Sequence, residues 1–201
     1  PVERADFTAV RSPYTNRSGM YLRQETFAAF QKMWTAAQAD GIQLNIISAT
    51  RNFDYQKNIW EKKWAKYAAQ FPQPKARALK ILEYSAMPGA SRHHWGTDID
   101  LNDLNNAAFN SGGAQENVYV WLQKHAAEYG FFQPYSAKGP QRPSGYNEEK
   151  WHWSYRPLSE PLLRQFEQNM TDQQFSGFQG AETAQEIGIL KNYVSGIAKT
   201  Q

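Results

Sequence analysis

No cysteine occurs in the 201-residue chain. That excludes a disulfide framework, a thiolate zinc site and a cysteine nucleophile. It leaves the compartment open, since exported proteins can also lack cysteine. No apolar run approaches the ~20 residues of a membrane-spanning helix. Net charge is only +3, and no block of Lys or Arg stands out, so nucleic acid is not an expected partner. The chain opens Pro1-Val2-Glu3-Arg4 with no initiator Met, as expected where a leader or tag has been removed.

What is present is ordinary for a soluble globular protein: 41% hydrophobic and 20% charged residues. The length suits one well-cored domain over residues 1–201, with a core at about 20–157 and a helical extension at about 158–201. Seven Trp and eleven Tyr read first as packing, and second as a groove for sugars or peptides.

Residues 1–20 are polar and turn-rich and read as an extended arm or loop. From Thr26 a helix is expected, with Phe27, Phe30, Trp34 and Ala37 on one face and Gly41 ending it. Leu44–Ala49 reads as a short buried strand. A second helix at about Phe53–Tyr67 carries Trp60 and Trp64 toward a core, and a shorter one covers about 75–84. Thr97–Leu101 reads as a strand with Asp98 and Asp100 on the face opposite Ile99. Glu116–Tyr129 shows a helical stripe that includes His125. Phe131-Phe132 and Lys150–Tyr155 read as strands, around a Pro/Gly-rich loop. Ser159 is a candidate cap for a helix through Phe166, and Ile187, Leu190 and Val194 share a helical face in the tail. The last strands lie too close together for helical crossovers. The expected class is therefore α+β, with a small, mainly antiparallel sheet flanked by helices.

The chemistry concentrates in Ser91–Leu101 and Glu149–Trp153. Histidine and carboxylate form a nitrogen/oxygen set that suits zinc. Adjacent histidines rarely ligate one metal together, so His94 reads as a packing residue, and His125 as a boundary histidine. His93, Asp100 and His152 would supply three ligands, leaving a position for water whose pKa zinc lowers to roughly 7. Glu149, three residues before His152, is the candidate base. To share its face, Glu149 must lie on the loop entering the strand or on a bulge. Arg51 follows a buried strand and could stabilise an oxyanion. On residues alone, an ordinary surface arginine is the better reading of Arg51, and a structural salt-bridge network would look much the same as the metal cluster.

Ser91-x-His93-x-x-Gly96-x-Asp98-x-Asp100 resembles the Ser-x-His-x-x-Gly-x-Ala-x-Asp motif of the VanY-like zinc D-alanyl-D-alanine carboxypeptidases, related to the vancomycin-resistance enzymes. Glu149-Lys150-Trp151-His152-Trp153-Ser154-Tyr155 is similar to their Glu-x-Trp-His-Trp-x-Tyr segment. Ala49–Gln56 is similar to their Gly-Tyr-Arg-Ser-x-x-x-Gln stretch. The resemblance spans about residues 45–156. It implies one zinc ion on His93, Asp100 and His152, Glu149 as base and Arg51 as transition-state partner. It also implies supporting or substrate-contacting roles for Ser91 and Gln56. The implied substrates are peptidoglycan stem peptides, cleaved by a D,D- or L,D-carboxypeptidase in the periplasm or at the cell wall. An endopeptidase, or a non-catalytic zinc-bearing binding or signalling module, is the alternative. Asp98 stands where the family has a small Ala, and Asn52 where it commonly has Ser. On a strand, Asp98 would share a face with Asp100 and crowd the metal or act as an alternative ligand.

Overall fold

In the computed structural model, which describes residues 5–199, the elements run in this order: β1 (Phe7–Val10), β2 (Met20–Arg23), α1 (Gln24–Ala39), β3 (Ile46–Ser48), α2 (Phe53–Lys66), α3 (Pro74–Ile81), β4 (Asp98–Leu101), α4 (Glu116–His125), β5 (Phe131–Phe132), β6 (His152–Tyr155), α5 (Arg156–Asn169) and α6 (Ala184–Ile187). This is the expected α+β class. The opening Pro1–Arg4 lies outside the described residues. Contacts gather the chain into two compact units. One takes the chain up to Thr50, Trp95–Pro134 and Glu149–Pro161; the other takes Arg51–His94, Tyr135–Glu148 and the chain from Leu162.

The first unit holds an antiparallel sheet in the order β3-β4-β6-β5. Side chains alternate across a strand. Ile99 and Leu101 of β4, with Trp153 and Tyr155 of β6, therefore enter the core that α1 and α4 cover through Phe30, Met33, Ala37, Trp121 and Leu122. Fully burying each Ile, Leu, Phe or Met among them contributes about 1.5–3 kcal/mol. Asp98, Asp100, His152 and Ser154 are left on the other face, and they too are buried. The expected extended arm is in part a hairpin: β1 pairs antiparallel with β2 from Phe7↔Arg23 to Val10↔Met20. Its residues alternate too weakly for periodicity to announce a strand.

The second unit is built on α2 and α3. Trp60 and Trp64 stack at 6.2 Å, Phe178 meets Trp60 edge-on at 5.9 Å, and the Trp60 indole donates to the Gln179 carbonyl at 2.8 Å. The tail thus supplies part of this core. Two expectations for it are corrected. Ser159 does not cap a helix: α5 begins at Arg156, directly after β6, and Ser159 is buried inside it. The start is fixed instead by the Arg156 amide, which donates to the Gly130 carbonyl at 2.8 Å. The Ile187–Val194 stripe is not one helix. Gly188 takes φ +70° and ends α6, and a separate π turn covers Leu190–Val194.

Candidate metal centre

In the first unit, the register of β4 on β6 sets the arrangement. Asp100 lies directly opposite His152, and Asp98 lies opposite Ser154, two residues along on the same face. The His152 ring is bracketed by both carboxylates. Its Nδ1 is 3.0 Å from Asp100 Oδ1, and its Nε2 is 2.9 Å from Asp98 Oδ1. Thr97 Oγ1 donates to the other Asp98 oxygen at 2.5 Å. Glu149 precedes β6 on a turn closed by the His152 amide, which donates to the Glu149 carbonyl at 3.2 Å. That turn brings Glu149 Oε2 to 3.7 Å from His152 Nδ1, as the loop placement required.

Burial works against a charge on His152, but the hydrogen bonds its ring donates to Asp100 and then Asp98 outweigh it and raise the pKa to about 9. The two carboxylates that favour positive charge sit on opposite nitrogens, Asp100 at Nδ1 and Asp98 at Nε2, and Glu149 is the second carboxylate near Nδ1. A metal ligand must offer a lone pair, so a cation at Nδ1 would take the proton's place. One imidazole nitrogen flanked by carboxylate oxygens is a donor set that fits zinc.

Gly96 explains part of the motif ahead of β4. Its φ is +74°, and a Cβ there would stand 2.4 Å from Phe7 Cε1. Its carbonyl accepts from the Arg23 amide at 3.0 Å, so the turn into β4 is tied to β2.

The second unit carries Arg51, Gln56, Ser91 and His93. Asn52 caps α2 by accepting from the Tyr55 amide at 2.8 Å, which leaves Arg51 just outside the helix. The Arg51 amide donates to the His93 carbonyl at 3.2 Å, and its Nη1 donates to Gln56 Oε1 at 3.1 Å. Gln56 is fully buried and also donates to the Ala86 carbonyl at 2.8 Å. It is thus placed to hold Arg51. Ser91 is buried, and its carbonyl accepts from the His94 amide at 3.0 Å.

His94 is a pin. Its Nδ1 lies 2.7 Å from the Arg51 carbonyl, and its Nε2 accepts from the Gly89 amide at 3.1 Å. That fixes the proton on Nδ1 and keeps the ring neutral. Burial lowers its pKa, the Arg51 carbonyl partly opposing and the Arg51 charge adding to the effect. His125 sits at the boundary, 2.9 Å from Glu128.

Sequence reasoning left the role of Asp98 open and missed the bonds that His94 makes. For Asp98 the signal was present: a carboxylate at i−2 from Asp100 on one strand face must lie beside whatever faces Asp100. For His94 no pattern pointed to its two backbone partners.

Fold and donor set together are those of an α+β protein with a candidate metal centre. The chain belongs to the VanY family: the model described as D-alanyl-D-alanine carboxypeptidase matches residues 19–158. It is similar to a D-alanyl-D-alanine carboxypeptidase of Enterococcus faecalis, at 29% identity over 126 residues, covering 62% of this chain and 44% of that protein. It thus spans less than half the length of that relative. Among solved structures, it is similar to the vancomycin-resistance D,D-pentapeptidase VanY of a VanB-type cassette, a glutamate-to-alanine mutant in complex with Zn(II). There the identity is 26%, the TM-score 0.56, and the match covers 74% of this chain and 83% of that one. The LdcB LD-carboxypeptidase shares the fold at 23% identity and TM-score 0.59, over 98% of this chain and 81% of that one.

Proposed function

We propose that the protein is a zinc-dependent carboxypeptidase that trims peptidoglycan stem peptides at a D,D or L,D bond. The observation that carries this is the convergence of Asp100 and Glu149 on one nitrogen of His152, at 3.0 and 3.7 Å. His93, Asp100 and His152 would hold one ion. All three are buried, and each offers a single ligand atom of a kind zinc accepts. The Zn(II)-bound relative supports this choice of metal. When bound, zinc supplies Lewis acidity toward the scissile carbonyl and makes water acidic enough to lose a proton near neutral pH.

The chain's own residues do the rest. Glu149 takes the proton from the attacking water and returns it to the leaving amine. Its position beside His152, rather than across the strand from it, is what that transfer needs. Arg51, its guanidinium braced by Gln56, donates to the substrate carbonyl oxygen as negative charge develops there. Ser91 contacts the bound peptide, and Gln56 acts through Arg51. Work on cell-wall peptides puts the protein outside the cytoplasmic membrane. Among the described residues no helix is long and apolar enough to cross a membrane. A module that bound zinc without hydrolysis would have no use for Glu149 beside His152.

The test is Glu149→Ala on stem peptides of defined length, with products weighed by mass spectrometry. Zinc content should persist while turnover falls by two to four orders of magnitude. The mass lost by the wild-type substrate separates terminal from internal cleavage, and the length of stem peptide that is trimmed separates D,D from L,D. Unchanged turnover in Glu149→Ala sinks the mechanism.

A further inference from the structure

We propose that Asp98 is a positioning residue for the metal centre, holding the Nε2–H of His152 so that Nδ1 is the nitrogen offered to the metal. This rests on the zinc reading above and extends it to a residue where the chain departs from the family motif. Asp98 Oδ1 is 2.9 Å from His152 Nε2, and both side chains are buried, at 0 and 2% exposure. The carboxylate is itself fixed, because its second oxygen accepts from Thr97 Oγ1 at 2.5 Å. Thr97 is also fully buried. A histidine's two nitrogens differ only through the partners they find, and a carboxylate on one selects the tautomer and ring orientation of the other. An Ala at this position, as in the family motif, makes neither bond.

The same geometry argues against Asp98 as a ligand. It meets His152 at Nε2, while Asp100 and Glu149 meet it at Nδ1. One strand face thus supplies a carboxylate to each nitrogen: Asp100 beside the metal position and Asp98 behind the ring. The crowding expected from the sequence is relieved because the imidazole stands between them.

The experiment measures zinc affinity of the full chain by competition with a chromogenic chelator, for wild type, Asp98→Ala, Asp98→Asn and Thr97→Val. Asp98→Ala should weaken zinc by about 10–100-fold. Asp98→Asn keeps an oxygen to accept the Nε2–H and should retain most of the affinity. Thr97→Val loosens only the far oxygen and should fall between wild type and Asp98→Ala. Thermal unfolding with excess chelator checks folding, and if Asp98→Ala does not fold, the other two variants carry the test. Wild-type affinity in Asp98→Ala, or in Thr97→Val where that variant stands in for it, overturns the inference. An equal loss in Asp98→Asn and Asp98→Ala overturns it too, since that marks a ligand. A wild-type protein that takes up no zinc removes the zinc reading and this inference with it, whereas zinc uptake indifferent to Asp98 removes only this one.

Discussion

The candidate residues come from two regions that are held in different ways. Asp98, Asp100 and His152 are placed by strand register, so one backbone ladder fixes three side chains together. Arg51 and His93 are placed by turns, and those turns depend on individual bonds. Gln56 holds the Arg51 guanidinium, and His94 ties the Arg51 carbonyl to the Gly89 amide. The first kind of placement is cooperative and resists single changes outside the ring of charges. The second is modular, and each bond can be removed with a separate effect. Two of the three proposed ligands, Asp100 and His152, have the first kind, and the third, His93, stands on a short 3-10 turn over Arg92–Trp95. A transition-state partner can be served by the second.

The largest effect should come from the sheet region. His152→Ala removes a proposed ligand and leaves Asp98, Asp100 and Glu149 buried around the space where the imidazole stood. Breaking such a buried pair costs about 3–5 kcal/mol. Urea unfolding in excess chelator should show a loss of that size, and stoichiometric zinc should vanish. A variant as stable as wild type would mean that the carboxylates do not depend on His152. Next is Gly96→Ala, where a Cβ meets the Phe7 ring and a left-handed φ is imposed on an L-residue. Strain and overpacking together should cost about 2–3 kcal/mol. Combining it with Phe7→Ala should recover the steric share and leave the backbone share.

In the turn region the readout moves from stability to turnover. Gln56→Ala should lower kcat about tenfold, equivalent to about 1.4 kcal/mol, with zinc stoichiometry unchanged. Loss of zinc instead of turnover would place Gln56 with the ligand scaffold and erase the distinction between the two regions.

These differences also set what could be read from sequence. The sheet face was legible because period-2 alternation in Thr97–Leu101 puts two aspartates on one side and two apolar residues on the other. The body of α2 was legible because the Trp60/Trp64 spacing is helical, whereas the cap at Asn52 emerged only from the structure. The loop over 135–148 was recognisable only as a loop. It is organised by a buried Arg142, whose guanidinium donates to the carbonyls of Ser136, Ser144 and Tyr146. A charged side chain satisfied by backbone carbonyls leaves no pattern in the sequence. The tail was misread for a related reason. Its apolar spacing is helical, but Gly188 at φ +70° breaks the helix, and periodicity carries no information about a backbone angle. The arm before β2 formed a strand because pairing and packing, rather than propensity, decide short hairpins.

The smallest effect tests whether the turn region is as modular as these bonds suggest. Asn52 caps α2 through a single bond to the Tyr55 amide, and its own carbonyl accepts from the Gln56 amide at 3.1 Å. Asn52→Ala should cost about 1 kcal/mol, read as a small shift in the urea midpoint. Asn52→Ser, the residue common in the family, should recover nearly all of it, since a serine hydroxyl accepts the same amide. The helix start also sets where Gln56 leaves the backbone, and Gln56 holds Arg51. A modular region confines the loss to stability, because the Gln56 bond to the Ala86 carbonyl keeps its side chain in place. If kcat falls with the cap by as much as in Gln56→Ala, the bonds around Arg51 act as one unit. The turn region would then be as cooperative as the sheet, achieved with side chains instead of a ladder.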